Sequence, residues 1–206
     1  MPTRAPLRFR PLTRARWPDL ERLFGPRGAC GGCWCMYWRV RRSVYERQKG
    51  AGNKRAFKRI VSSRQVPGLL AYAGREPIAW CALAPREHYP VLDNSRVLAR
   101  LDAQPVWSVT CFFVAKGWRG HGVTSKLLRA AVEFARRRGA RLVEGYPVEP
   151  KKGHTADVFA YTGLPGTFTR AGFREVARRS PTRPFMRRTL RHGGRAAVIF
   201  GTSSGA

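Results

Sequence analysis

The sequence predicts a mixed α/β domain, one unit in which strands and helices share a single core, and three observations carry that reading. At 206 residues, with 43% hydrophobic residues, six Trp and eleven Phe, the chain can bury one core but is short for two full-sized domains. Apolar runs of strand length alternate with segments whose apolar residues recur at helical spacing. One run, residues 106–114, is long, β-branched and aromatic, the composition of a central strand covered on both faces.

The elements follow in order. Leu7 and Phe9 alternate with Arg8 and Arg10, which predicts a strand. Pro18 then opens a helix through Leu20, Leu23 and Phe24 that stops at Gly25. Residues 27–39 form a glycine- and cysteine-rich connection ending in the aromatics Trp34, Tyr37 and Trp38. Ser43 and Glu46 have capping-box spacing for a short helix, broken at Gly50 and Gly52, and Asn53 is expected to cap another helix running to Val61. Residues 69–73 and 78–84, separated by Gly74, Arg75, Glu76 and Pro77, predict a hairpin. Residues 85–104 are read as a polar, irregular excursion. After the strand 106–114 comes the loop Lys116-Gly-Trp-Arg-Gly-His-Gly122, then a helix through Val123, Leu127, Leu128, Ala131 and Phe134 or Ala135, ended by Gly139. A strand is expected at 142–148, a short helix within 162–172 and a strand pair within 173–190 turned at Pro181 and Pro184. The reading is one domain over 1–190, followed by a small, polar, glycine-rich tail, 191–206, expected to fray.

Composition narrows the function. No continuous apolar leader opens the chain and no stretch approaches the ~18 apolar residues of a membrane span, so the expectation is a cytoplasmic protein with no membrane partner. Five cysteines are an odd count, with Cys30, Cys33 and Cys35 crowded together, which is not a disulfide framework. Forty Lys plus Arg against twelve Asp plus Glu give a net charge of +28, a field that attracts polyanions. The basic residues are mostly Arg and spread from Arg4 to Arg195, a distribution that composition bias alone can produce.

The chemistry concentrates in residues 106–139. A strand, a glycine-rich loop and a helix start form the general device for holding a phosphate, because amide N–H groups without internal partners point outward and the helix dipole adds positive potential. Gly120 and Gly122 let backbone approach a ligand, and Arg119 adds a charge-assisted donor. The loop is not a P-loop, since no Gly-Lys-Ser/Thr ends it, and it lacks the third glycine of a dinucleotide fingerprint.

With Arg119, Gly122 and Thr124 at the three defined places of the motif Gln/Arg, two residues, Gly, one residue, Gly/Ala, the sequence resembles the GCN5-related N-acetyltransferase (GNAT) family. Thr124 departs from the motif, and either crowds a pyrophosphate or offers it a hydroxyl. The two preceding strands, the following strand and the later Ala171-Gly-Phe173 come in the family's order. The resemblance implies a central mixed, mostly antiparallel sheet of about six to seven strands, splayed at the middle and flanked by helices. It implies acetyl-CoA as cosubstrate, held by Phe113, Val114, Arg119, Gly120, His121, Gly122, Val123, Thr124 and Ser125, with main-chain groups of Phe113 and Val114 meeting the pantetheine arm. It implies transfer of the acetyl group to a primary amine, on a small molecule or a peptide, by direct attack in a ternary complex, and a monomer or homodimer.

The family often places a Tyr four residues before the Gly of the Gly-Phe pair, and here that place is Phe168. Tyr161, just upstream, is the substitute for the general acid, and Phe168 is expected to pack. For the base, Glu144 on the strand beside the splay and Glu87 in the excursion are the candidates, although Glu144 equally suits pairing with an Arg. Glu149 and Asp157 add to a local acidic cluster, and His121 and His154 read as loop residues. Cys30, Cys33 and Cys35 supply three thiols but no companion pair, so no metal is expected. Residues 30–38 either wall the acceptor pocket or fill core. The alternative to an enzyme is a basic nucleic-acid-binding protein on the same scaffold; it is not favoured, because the aromatics sit mostly in apolar strands rather than among basic residues.

Overall fold

The computed structural model describes residues 6–150 and 160–190. The expected tail, His154 and Asp157 lie outside them. Seven strands, β1 (Leu7–Pro11), β2 (Gly68–Ala73), β3 (Glu76–Pro85), β4 (Trp107–Val114), β5 (Leu142–Gly145), β6 (Arg174–Arg178) and β7 (Pro184–Thr189), form one sheet in the order β1-β2-β3-β4-β5-β7-β6. Each neighbouring pair is antiparallel except β4 and β5, which run parallel. The helices are α1 (Trp17–Phe24), α2 (Arg42–Arg47), α3 (Ala51–Ser62), α4 (Pro90–Asp93), α5 (Val123–Arg137) and α6 (Pro165–Arg170).

The near-continuous apolar character of β2 and β3 follows from burial on both faces. Leu70, Tyr72, Trp80 and Ala82 meet α1 and α3 through Leu20, Phe24, Phe57 and Val61. Their alternates Leu69, Ala71, Cys81 and Leu83 meet α5 and α6 through Leu127, Leu128, Ala131 and Phe168. Trp80 is fully buried between the rings of Phe24 and Phe57, and removing a side chain of that size from water contributes about 3 kcal/mol.

Four local expectations are corrected. Ser43 is no cap: α2 starts at Arg42 with no side-chain cap, because the Glu46 carboxylate is taken by Arg42 and Lys49, one turn away on either side. Asn53 lies inside α3, fully buried, where its amide donates to the Gly32 carbonyl at 3.3 Å and the Tyr45 carbonyl at 3.4 Å. It pins the cysteine-rich connection to the helix, and the cap position belongs to Gly50. β5 stops at Gly145 rather than at Val148, since the Val148 N–H is bound to the Gly163 carbonyl at 3.0 Å instead of to a strand.

The excursion 85–104 is the fourth. It carries α4 and buries Tyr89, Leu92 and Leu98 in a small third core with Tyr146 and Phe185. Fully buried Arg86 organises it, donating to Asp93 Oδ1 from Nε and Nη2 at 3.0 and 2.8 Å, to the Leu98 carbonyl at 2.6 Å and to the Tyr146 hydroxyl at 2.6 Å.

Candidate active site

The loop after β4 is built as a cradle. Gly120 and Gly122 have φ of 74° and 71°, left-handed values that disfavour a Cβ. A Cβ placed on either meets no atom within 4 Å, so the space above the loop is open. Gly122 is the N-cap of α5, no side chain caps that helix, and its ladder begins with the Lys126 N–H on the Gly122 carbonyl at 3.3 Å. The amides of Val123, Thr124 and Ser125 are the donors such a helix start leaves over. Arg119 Nε donates to the Val114 carbonyl at 3.1 Å, tying the loop to the end of β4. The His121 Nδ1–H donates to the Arg119 carbonyl at 2.6 Å.

A cleft leads from this cradle into the sheet. β4 and β5 pair only from Trp107 opposite Val143 to Val109 opposite Gly145, and β4 then continues to Val114 beyond the end of β5. Phe168, fully buried, lies where a Cβ on Gly145 would stand, at 1.9 Å from its ring, and it packs edge-on against Phe112 and Phe173. On the other edge of β4 the register with β3 shifts: Ala82 faces Cys111 and Leu83 faces Val109, leaving Thr110 as the extra residue of a bulge. Phe113 and Val114 lie on the end of β4 that has no β5 partner, and the bulge lies nearer the sheet centre, at Thr110 and Cys111.

Splay, bulge and cradle share one cavity of about 810 Å³, within the range of small-molecule sites. Phe113, Val114, Arg119, Gly120, Gly122, Val123, Thr124 and Tyr161 line it; His121 and Ser125 do not. Thr110, Cys111, Trp118, Thr167 and Arg183 also line it and were not among the expected site residues; strand register brings in Thr110 and Cys111, and packing of α6 and the last hairpin brings in Thr167 and Arg183.

Glu144, expected either as a base or as the partner of an Arg, makes the second contact. It is 2% exposed and off the cavity wall. Its Oε1 accepts from Arg187 Nη2 and Nε at 2.6 and 3.0 Å, and its Oε2 accepts from the Tyr146 hydroxyl at 2.9 Å and Arg86 Nη1 at 3.5 Å. A carboxylate so encircled ties β5 to β7 and to the segment after β3. Glu87 is exposed and bound to Arg100, and Glu149 is bound to Arg178, also away from the cavity. Tyr161 sits on the wall with its ring 6.4 Å from that of Tyr37. Burial, with Tyr37 beside it, pushes its phenol well above the ordinary value.

Residues 30–38 divide between the core and the cavity wall. Trp34 packs between Trp17 and Phe24, at 6.0 and 5.7 Å between ring centres, and fills core. Cys30, Cys33, Cys35, Tyr37 and Trp38 face the cavity. Trp34 and Cys35 are held at φ of 41° and 59°, a left-handed pair costing on the order of 1 kcal/mol or more each. The turn aims the Cys35 sulfur at the Trp80 indole N–H, 3.0 Å away, and at the Cys111 thiol. The Cys111 hydrogen bond, with the Trp80 N–H and nearby Arg39, holds the Cys35 thiol below its ordinary value against the opposing effect of burial. Among the described residues no group of three or more His, Cys, Asp or Glu is placed to hold a metal ion.

The profile of the Acetyltransferase (GNAT) family matches residues 34–151, more than half of the chain. The chain belongs to that family. The family match runs from the end of the connection through the β2–β3 hairpin, the splayed strand and the glycine loop. Solved GNAT structures share the fold. A GNAT acetyltransferase of Listeria monocytogenes is 8% identical, with a TM-score of 0.57 over 89% of this chain and 95% of that one. The PaiA N-acetyltransferase of Thermoplasma acidophilum, solved in complex with coenzyme A, is 14% identical, with a TM-score of 0.50 over 90% and 99%. A GNAT-family protein of Desulfovibrio desulfuricans is 13% identical at a TM-score of 0.50 over 89% and 99%. No curated protein matches the sequence. Among the described residues no helix is long and apolar enough to cross a membrane.

Proposed function

We propose that this GNAT protein transfers the acetyl group of acetyl-CoA to a primary amine, by direct attack with both substrates bound. The observation that carries the reading is the continuity of one cavity from the left-handed glycine cradle at the start of α5 to the bulged, unpaired half of β4. The cradle suits a diphosphate in space and sign: the room a Cβ would take is open at both glycines, and the helix start presents amides and a positive dipole end. Acetyl-CoA supplies an activated acetyl thioester.

The chain's own residues do the rest by positioning and electrostatics. Main-chain groups along residues 110–114 are left without a β5 partner, and they orient an extended ligand arm and aim N–H dipoles at its carbonyl. The Tyr161 hydroxyl, on the cavity wall, is the group placed to donate a hydrogen bond to a departing thiolate. No cavity-lining Asp or Glu is found among the described residues, so the attacking amine arrives neutral or gives its proton to water. The PaiA relative's coenzyme A complex supports the same ligand class for this fold.

Gly122→Glu tests the reading. A glutamate side chain there enters the open space above the loop and sets a negative charge against the phosphates. Calorimetric titration is expected to show CoA binding to the wild type and none to the variant, with the variant's circular dichroism unchanged. Stabilisation of the wild type by RNA but not by CoA in a thermal scan would instead favour a nucleic-acid binder.

A further inference from the structure

The two ends of the cavity differ in chemistry. At one end stands the anion cradle, Arg119 to Thr124. At the other, the 3₁₀ turn Ala160–Thr162 faces the cysteine-rich connection, and Tyr161 meets Tyr37, whose ring lies 4.9 Å from Trp38 and 5.4 Å from Tyr45. This wall is apolar and aromatic. One guanidinium completes it. Arg183, half-buried in the loop between β6 and β7, lines the cavity and donates from Nη1 to Thr162 Oγ1 at 3.1 Å. Its fork carries five donors, and the threonine hydroxyl takes one.

Of the cations of this end, Arg42 is paired with Glu46, and among the described residues no carboxylate pairs with Arg183. Among the described residues the cavity wall holds no Asp or Glu. The nearby carboxylates are engaged elsewhere, Glu149 by Arg178 and Glu144 by Arg86 and Arg187. The aromatic faces that could cage an ammonium already hold a cation: the Arg42 guanidinium stands 5.4 Å from the Tyr37 ring and 5.7 Å from the Tyr45 ring. A polycationic amine therefore meets Arg183 and a net charge of +28, with no cavity-lining carboxylate among the described residues to pair it. A carboxylate meets a preformed bidentate partner.

Building on the acetyltransferase reading, we infer that the acceptor is an amine bearing its own carboxylate on an apolar or aromatic body, an amino acid or a close analogue, with the carboxylate seated on Arg183 and the body against Tyr37 and Trp38. Arg183 is then the residue that sets acceptor specificity. It anchors one end of the substrate so that the amine points along the wall toward Cys111 and the bulge.

The test compares matched amines at saturating acetyl-CoA with the full chain, reading CoA thiol release. A panel of apolar and aromatic amino acids is set against their decarboxylated counterparts, phenylalanine against phenethylamine among them, with spermidine as the polycation. The expected kcat/KM for the carboxylate-bearing member is about tenfold to a hundredfold higher, the size of charge-assisted hydrogen bonds. Arg183→Gln is expected to erase that advantage by raising KM for phenylalanine. It should leave phenethylamine turnover and CoA affinity as they were, and Arg183→Lys should restore part of the gap. Equal or better use of phenethylamine or spermidine, or an R183Q effect equal on both members of a pair, overturns the inference. CoA binding without acetylation of any amino acid in the panel overturns it too. Failure of the wild type to bind CoA at all overturns the acetyltransferase reading itself, which calorimetry shows separately.

Discussion

Replacing Glu144 by Gln separates a structural carboxylate from a catalytic base. Glu144 is 2% exposed and Arg86 fully buried, so solvent screens their contacts little. An amide keeps the shape and one acceptor oxygen, but turns an N–H₂ group toward either the two Arg187 donors or the Tyr146 and Arg86 donors. Losing one partner of a buried ion pair costs about 3–5 kcal/mol. The lower end applies here, because Arg86 keeps Asp93 at 2.8 Å and Arg187 keeps Asp102 at 2.6 Å. At about 2–4 °C per kcal/mol for a chain of this size, about 3 kcal/mol lowers Tm by roughly 6–12 °C. The assay is a thermal scan beside steady-state kinetics well below the transition, where kcat is expected within about twofold of wild type. An unchanged Tm, with kcat reduced a hundredfold and the acidic limb of the pH profile lost, would refute the reasoning and make Glu144 the base after all.

Three further outcomes are expected. Tyr161→Phe should lower kcat about tenfold or more while leaving CoA affinity unchanged; unchanged turnover returns Tyr161 to packing. Burial raises Tyr45 and Tyr89 to about 12, and Tyr72, Tyr146 and Tyr161 further. An unfolded tyrosine ionises near 10, so the folded chain retains protons that the unfolded one gives up. Stability should then be flat with respect to these groups below about pH 10 and fall as pH rises beyond it, and urea melts between pH 8 and 11 read the slope. Elemental analysis of protein purified without chelator should find metal near zero, and stoichiometric zinc would show that the thiols at 30, 33 and 35 recruit a ligand from elsewhere.

Much of the fold was legible because its signals are local. The hairpin of β2 and β3, the apolar run of β4, the glycines at 120 and 122 and the apolar stripe of α5 each announce themselves within one element, by periodicity or by a residue that tolerates positive φ. The role of Phe168 was legible in part, since a Tyr-to-Phe change removes the hydroxyl and leaves the ring. The cap assignments at Ser43 and Asn53 failed because spacing was right and competition was not visible. Arg42 and Lys49 take the Glu46 carboxylate, and two carbonyls from an earlier segment take the Asn53 amide.

By itself, then, the sequence determined the order of elements, the family and the place of the glycine loop before α5, because backbone conformation there depends on residues within a few positions of one another. Tertiary structure alone decided which side chains meet. The bulge at Thr110 exists only in register with Ala82 and Leu83. The thiols of Cys35 and Cys111 come together only because the connection folds back over β4. Arg86 and Glu144, at 3.5 Å, are 58 residues apart in the chain, and Arg183 reaches the cavity from the last hairpin. Such pairings are set by strand register and packing across the sheet. A carboxylate's solvation and partners decide between base and buried anchor, and neither is written in its immediate neighbours.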